Sequence, residues 1–367
     1  MIILIAPDKF KGSLSSLEVI EAITNGVKRA YPEAQIESQR LADGGEGSLE
    51  ILEETLGLKR IELTVNDPLF RPISTFYLTD DKRAFIEMAA ASGLLLLSEN
   101  ERNPMNTSTF GTGELIRHAL KSGCREINLL IGGSATNDCG LGMAKALGFQ
   151  FFDKDQQVLE GTGADLERVA SFSQEDIESS ISKCQFNVLT DVQNPLLGEE
   201  GAAHVYAAQK GADLEMIEML ENGAKNLVEV LANGKEKING AGAAGGLGYG
   251  AMSFLNAKVV SGINFMLDLT EMEEKVRNAD LVITGEGSVD EQSLQGKVIA
   301  GLQELCQLHQ KPMAIVCGIS TLNSWNDLPI YQVMNKAENI EDAMKNTGSY
   351  VEILTKELIQ DFNSKNA

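Results

Sequence analysis

The sequence predicts an α/β protein: a Rossmann-like parallel-sheet domain built from both chain ends, with a mixed α/β second domain inserted between them. Three observations lead there. Apolar runs of strand length alternate with amphipathic helical segments at the start of the chain. Between residues 61 and 88 the texture changes to apolar–polar alternation broken by turn residues. A β-loop-α-β texture then returns in "NADLVITGEGSVDEQSLQGKVIAGLQELCQLHQKPMAIVCGI". A length of 367 residues suggests about two domains. The expected division is 1–62 plus 265–367 for the split domain and 63–264 for the insert.

"MIILIA" is the first strand, ended by "PDKFKGS". "SSLEVIEAITNGVKRAY" follows as an amphipathic helix with Leu17, Ile20, Ile23 and Val27 on its apolar face. Ser15 and Glu18 have capping-box spacing. "AQIESQRLADGGEGSLEILEETLG" gives a strand, a glycine-broken loop and a helix. "RIELTVNDPLFRPISTFYLTDDKRAFIEM" reads as antiparallel hairpins turning at Asn66-Asp67-Pro68 and Asp80-Asp81. "SGLLLLS" reads as a buried strand or helix end, "GTGELIRHALKSG" as a helix and "EINLLI" as a strand. "TNDCGLGMAKALG" is again helical, and "FQFFDKDQQVLEG" a hairpin around Asp153-Lys154-Asp155. "CQFNVLTDVQNPLLG" is a strand running into a loop. "DLEMIEMLENGAKNLVEVLA" is a helix with Leu214, Ile217, Leu220, Ala224, Leu227 and Leu231 in register.

Charge and cysteine usage exclude several function classes. A net charge of −22 makes the chain a poor partner for nucleic acid or an anionic membrane surface, since both rely on Lys and Arg neutralising phosphates. An anionic ligand would need placed cations, helix N-termini or a divalent metal. Five cysteines, odd in number and without a C-x-x-C pair, fit reduced thiols in a cytoplasm better than disulfides or a zinc site. "MIILIAPDKF" lacks the charged n-region of a signal peptide, and "SGLLLLS" is too short to span a membrane. With three histidines, His118, His204 and His309, a Ser-His-Asp triad or a His-rich zinc site has little support.

Several polar loops follow apolar runs, where open α/β sheets bind ligands. "PDKFKGS" sets Asp8, Lys9 and Lys11 beside a helix start, as an anion site or as exposed loop lysines. "LADGGEGS" places Asp43 and Glu46 around a Gly-Gly turn, as Mg²⁺ ligands or as helix-start residues. "LLIGGSATNDCGLGMAKALG" is more informative. Gly132 and Gly133 let backbone amides curl into a nest, while Ser134, Thr136 and Asn137 add donors and Asp138 caps the next helix. That is a cradle for phosphate or carboxylate. It is neither a Walker A loop nor a G-x-S-x-G elbow. Gly240, Gly242 and Gly245 have G-x-G-x-x-G spacing but no good strand before them, which points to a glycine-rich loop packed closely on a neighbour. Thr190-Asp191, and then Glu286, Asp290, Gln292 and Lys297, end two further apolar runs. Carboxylates in such places serve as bases, metal ligands or turn residues.

Taken in order, "APDKFKGSLSS", "LADGGEGS", "NDPLFRP", "GTGELI", "IGGSATNDCGLGMAKALG", "TDVQNPLLGEEGAA", "QKGA", "GAGAAGGLGYG" and "TGEGSVDEQSLQGK" resemble the bacterial type-1 glycerate kinase family almost end to end. Phe70 and Cys139 stand where that family usually has glycine, and "VYAAQKGA" lacks its usual Phe-Gly-Pro. The resemblance implies an ATP-dependent small-molecule kinase acting on D-glycerate with Mg²⁺, usually at the 2-hydroxyl. A kinase for another small hydroxy acid and a non-catalytic organic-acid binder are the alternatives. On this reading residues 131–138 cradle ATP phosphates and Asp191 is the base. Lys9 and Lys297 as catalytic groups, and Lys11 and Arg71 as substrate-binding groups, are candidates to hold the glycerate carboxylate or the moving phosphoryl group. Asp43, Glu286 and Asp290 are candidates for Mg²⁺.

Overall fold

The computed structural model describes residues 1–42, 45, 47–290, 298–322 and 328–366. The chain divides into two compact units, Met1–Asp43 with Ile263–Ala367, and Gly44–Gly262. The first unit opens with β1 (Ile2–Ile5), α1 (Ser16–Ala30) and β2 (Gln35–Ser38). The second runs through α2 (Ser48–Leu56), β3 (Lys59–Asn66), β4 (Pro72–Thr79), β5 (Arg83–Glu87), α3 (Ala89–Ser92), α4 (Phe110–Lys121) and β6 (Glu126–Leu130). It continues with α5 (Leu141–Ala146), β7 (Gln150–Phe152), β8 (Ser171–Ser173) and β9 (Gln185–Leu189). Next come α6 (Ala202–Tyr206), α7 (Leu214–Leu231), α8 (Ala243–Leu255) and β10 (Lys258–Val260). The chain then returns to the first unit with α9 (Gly262–Leu269), α10 (Met272–Asn278), β11 (Leu281–Thr284), β12 (Ser288–Val289) and α11 (Val298–Leu308). It closes with β13 (Met313–Cys317), β14 (Ile319–Ser320), β15 (Ile330–Gln332), α12 (Ile340–Lys345) and α13 (Thr347–Asn366).

In the first unit five strands pair in the order β15-β13-β11-β1-β2, all parallel. The apolar runs "IILI", "LVIT" and "MAIVC" supply the central strands and are almost wholly buried, as a sheet covered on both faces requires. Successive strand side chains point to opposite faces. Ile3 and Ile5 therefore join α1 and α13 in one core, with Val19, Ile23, Val351 and Leu358. Leu4 joins α9, α10 and α11 in the other, with Ile263, Val276 and Leu302. The chain leaves β1 toward β2 on one side and later returns to β11 on the other. The order thus reverses between β1 and β11, which is a topological switch point.

The second unit holds a mixed six-stranded sheet, β10-β9-β6-β5-β4-β3. β10, β9, β6 and β5 are parallel, and β4 and β3 antiparallel, so the two expected turns sit between β3, β4 and β5. A boundary after residue 62 would cut β3. α2 also belongs with this unit: it packs on β4 and β5, and Glu53 pairs with Arg60 of β3 at 2.5 Å. The segment "FQFFDKDQQVLEG" does turn at Asp153, whose N–H donates to the Gln157 carbonyl at 3.0 Å, but β7 takes β8 as its ladder partner.

Local signals behave unevenly. The Ser15–Glu18 capping box forms. Leu17, however, is 54% exposed, and the buried stripe of α1 is Val19, Ala22, Ile23, Gly26 and Val27. Leu214, at the first position of α7, is exposed in the same way. "SGLLLLS" opens on the last residue of α3, Ser92, and continues as a 3₁₀ turn over Leu94–Leu96, with Leu97 buried but Leu95 exposed.

α1 and α13 cross most closely at Gly26. A Cβ there would stand 2.5 Å from the Glu352 carbonyl oxygen and 2.6 Å from Thr355 Cβ. Gly26→Leu is expected to lower unfolding stability by about 1–3 kcal/mol, the usual cost of overpacking. Urea denaturation checks this; an unchanged midpoint would mean that the two helices part freely.

Candidate active site

The second sheet gathers candidates at one edge. β5, β6, β9 and β10 all end there, so residues 131–138, Asp191 and Ser261 share the carboxyl-terminal edge. β4 runs opposite to β5, which brings the turn before it, and Arg71, to the same edge.

The loop after β6 is held open by its neighbours. Leu94 N–H donates to the Gly133 carbonyl (2.9 Å) and Ala135 N–H to the Ser92 carbonyl (2.9 Å). Gly133 has φ +74°, a conformation that suits glycine. The amides of Gly132, Gly133, Ser134, Thr136 and Asn137 find no acceptor among the described residues. Thr136 and Asn137 are buried, and Thr136 Oγ1 and Asn137 Oδ1 likewise lack a partner among those residues. Asp138 closes the loop. Its carboxylate accepts from Thr109 N–H (2.8 Å), Thr109 Oγ1 (2.7 Å), Gly140 N–H (3.1 Å) and Gly142 N–H (3.2 Å), which caps α5 as its sequence position suggests. Burial pushes the carboxyl upward in pKa, and these donors pull it back down.

The glycine-rich segment 240–250 supports this loop from behind. A side chain at Gly245 would collide with the Thr136 carbonyl, and Cys139 N–H donates to the Gly245 carbonyl at 3.1 Å. Close packing, and not a dinucleotide fingerprint, accounts for these glycines.

Lys210 was not among the sequence candidates. It ends a 3₁₀ turn, is 1% exposed, and donates from Nζ to Ser134 Oγ (2.8 Å) and the Thr136 carbonyl (2.7 Å). Burial lowers its pKa to about 7, against the upward pull of Asp138 and Cys139. The one available signal was a lone lysine in "VYAAQKGA", among small and apolar neighbours.

Asp191 follows β9 and accepts a hydrogen bond from Ser261 Oγ at 2.7 Å. It is half-buried. Arg71 is held by two carboxylates, Asp67 at 2.6 Å and Glu101 at 2.5 Å, which raise its pKa further. Phe70 and Cys139, where the resemblance leads one to expect glycine, both adopt positive φ, 60° and 49°. The Phe70 ring packs on Phe110 with centroids 5.9 Å apart.

In the first unit, the loops after β1 and β11 meet at the switch point. Asp8 N–H donates to the Gly285 carbonyl (2.9 Å), and a Cβ at Gly287 would lie 3.1 Å from Lys11 N. Lys9 and Lys11 are exposed there, and Glu286 is half-buried. Asp290 follows the short β12–β14 ribbon. Asp43, Glu46, Gln292 and Lys297 lie outside the described residues. Among the described residues no three His, Cys, Asp or Glu side chains cluster as a metal site would require, and no helix is long and apolar enough to cross a membrane.

Asp138→Ala would leave four buried donors without an acceptor. Its cost is expected to reach at least about 2–3 kcal/mol, seen as a lower denaturation midpoint. An unshifted midpoint would remove Asp138 from its role as the loop's anchor.

The model of the glycerate kinase family matches residues 3–363. A glycerate kinase of Bacillus subtilis is 38% identical, covering 98% of this chain and 97% of its own. A glycerate 2-kinase of Escherichia coli is 40% identical over 88% and 86% respectively. The crystal structure of a Salmonella typhimurium protein, proposed to be a glycerate kinase 2, superposes with a TM-score of 0.83 at 38% identity, covering 100% of this chain and 99% of that one. This chain belongs to the glycerate kinase family.

Proposed function

We propose that the protein transfers the γ-phosphoryl group of ATP to the 2-hydroxyl of D-glycerate, giving 2-phosphoglycerate and ADP. Family membership supports glycerate as the substrate, and the Escherichia coli relative's name supports the 2-position. The observation that carries the reading is the loop over residues 132–137. It presents free amides and unpartnered buried polar atoms over a buried lysine, at the same sheet edge as Asp191.

Phosphoryl transfer asks the protein for position and charge more than for covalent chemistry. The loop amides, with Ser134, Thr136 and Asn137, bind phosphate oxygens as charge-stabilising donors. Asp191 accepts the proton of the glycerate hydroxyl as its oxygen attacks the γ-phosphorus. The bond from that phosphorus to the ADP oxygen breaks, and the proton stays on the Asp191 carboxyl. Ser261 fixes the orientation of this carboxylate. Lys9, Lys11, Lys297 and Arg71 are the cations offered to the glycerate carboxylate or the phosphoryl group. Arg71 would reach a ligand only by sharing or exchanging Asp67 and Glu101.

Glu286 and Asp290 supply the hard oxygen donors that Mg²⁺ prefers, and Mg²⁺ needs only one or two carboxylates beside phosphate oxygens and water. With Asp43 they are its proposed holders. When bound, Mg²⁺ would neutralise charge on the phosphate chain. All five cysteines are free thiols, which suits a reducing, cytoplasmic setting.

Purified protein is expected to consume ATP only with Mg²⁺ or a similar divalent ion, with D-glycerate the best acceptor in a panel of hydroxy acids. Full turnover in excess chelator would contradict the metal. Turnover on other acids but not on glycerate would contradict the substrate. ATP binding without consumption on any acid would favour a binding protein.

Asp191→Asn keeps the shape of the side chain but removes its basicity. The variant should fold and bind nucleotide, with kcat lowered about 10²–10⁴-fold and KM little changed. Recovery of rate with added Mg²⁺ would make Asp191 a metal ligand instead. Near-native turnover would leave it an ordinary turn residue.

A further inference from the structure

Lys210 poses a problem of charge. Its ammonium is fully buried, yet both hydrogen-bond partners are neutral oxygens, Ser134 Oγ and the Thr136 carbonyl. No carboxylate among the described residues comes within salt-bridge distance, 4.0 Å, of it. A buried cation without a counter-ion is costly, and a lysine so placed escapes the cost by giving up its proton. The loop that receives its hydrogen bonds is also the one with free amides and with Thr136 Oγ1 and Asn137 Oδ1 unpartnered. The free amides and the Thr136 hydroxyl are donors that an anion can satisfy, whereas Asn137 Oδ1 is an acceptor and is not. The missing negative charge and these unused donors are at one place.

We propose that Lys210 is the buried cation whose counter-ion is the anionic group bound by residues 132–137, and that binding of this group is coupled to uptake of a proton by Lys210. The proposal rests on the nucleotide reading of that loop. Lys210 acts from beneath the loop, through Ser134 and Thr136, and is a positioning residue.

The charged and titratable groups around Lys210 are few. Asp138 and Cys139, from the loop after β6, both favour its charged form. Burial holds the Cys139 thiol protonated, well above its ordinary pKa, so it supplies no counter-charge near neutrality. Asp138 is turned to Thr109 and the amides of α5. From α7, Glu221 acts on Cys139 and is engaged by Gly198 N–H at 3.0 Å and Lys225 at 3.3 Å. Arg102 flanks the turn, its Cβ 3.1 Å from where a Gly211 Cβ would stand, and adds positive charge. None of these replaces a bound anion.

The sign follows from linkage. Without ligand, burial lowers the Lys210 pKa to about 7, so the group is more charged at pH 6 than at pH 8. A bound anion raises its pKa, so binding takes up a larger fraction of a proton at pH 8 than at pH 6. Affinity for the anion should fall about tenfold per pH unit above 7, until the pKa of the bound state is reached.

The test is calorimetric titration of the intact protein with a non-hydrolysable ATP analogue and Mg²⁺, without glycerate. Two buffers of different ionisation enthalpy at each of pH 6 and pH 8 give the protons taken up. The expected result is the rise just given in the wild type and its loss in Lys210→Met, with weakened binding. Equal uptake by wild type and variant at both pH values would overturn the proposal. If Lys210→Met does not fold, the wild type decides alone at pH 8, where the Mg²⁺-bound phosphate chain is already ionised: absence of uptake overturns the proposal. Binding and turnover without proton uptake would remove the role of Lys210 and leave the kinase reading standing. Failure of the wild type to bind the analogue or to consume ATP would overturn the nucleotide reading, and the proposal with it.

Discussion

Two hydrogen bonds from Lys210 Nζ, 2.8 Å to Ser134 Oγ and 2.7 Å to the Thr136 carbonyl, fix the loop on which the candidate site is built. Buried away from water, they carry more weight than surface contacts would. They turn one hydroxyl and one carbonyl inward. The amides of Gly132, Gly133, Ser134, Thr136 and Asn137 stay unbonded among the described residues, since the Ser92–Leu94 segment takes only the Gly133 carbonyl and the Ala135 N–H, and Asp138 takes donors beyond the loop. A loop whose donors are already spent internally could not bind an anion; this one keeps its donors because a lysine and an aspartate do the internal holding.

The same division of labour explains the glycines of segment 240–250. Their lack of side chains lets α8 approach until Gly245 touches Thr136 and Gly246 touches Cys139. A backbone so closely packed has little room to move. Cys139 illustrates the cost. It holds a positive φ where glycine would be unstrained, while its N–H donates to the Gly245 carbonyl and its Sγ lies against Gly246.

Much of the architecture was legible in the sequence because it depends on period and punctuation. Apolar runs such as "LVIT" and "MAIVC" became central strands, and the turns at Asn66 and Asp80 closed their hairpins. What failed was orientation at helix ends. Leu17 and Leu214 fit the apolar period of α1 and α7, but each sits in a first turn that overhangs solvent. Period alone cannot tell where a helix stops facing the core. Of the candidate site, the polar loop over residues 132–137 and the strand-end position of Asp191 could be read from residue order. Lys210 could not, because its importance comes from burial 74 and 76 residues away in sequence from the groups it binds. The pairing of Arg71 with Glu101 was equally invisible, as it joins segments 30 residues apart.

The overall charge of −22 then needs reconciling with the polyanionic ligand proposed for the site. At physiological ionic strength, charges in water are largely screened beyond about 8 Å, so most of the surface carboxylates act weakly on a bound phosphate. A cation within a dry site is screened far less. At about 4 Å its attraction in a medium of intermediate polarity is some four times what it would be in bulk water. The local field at residues 132–137 is therefore set by oriented amides and by whichever charge state Lys210 holds, and only slightly by the chain's total. Net charge limits which partners approach without a built site, such as nucleic acid. It does not decide what a built site binds.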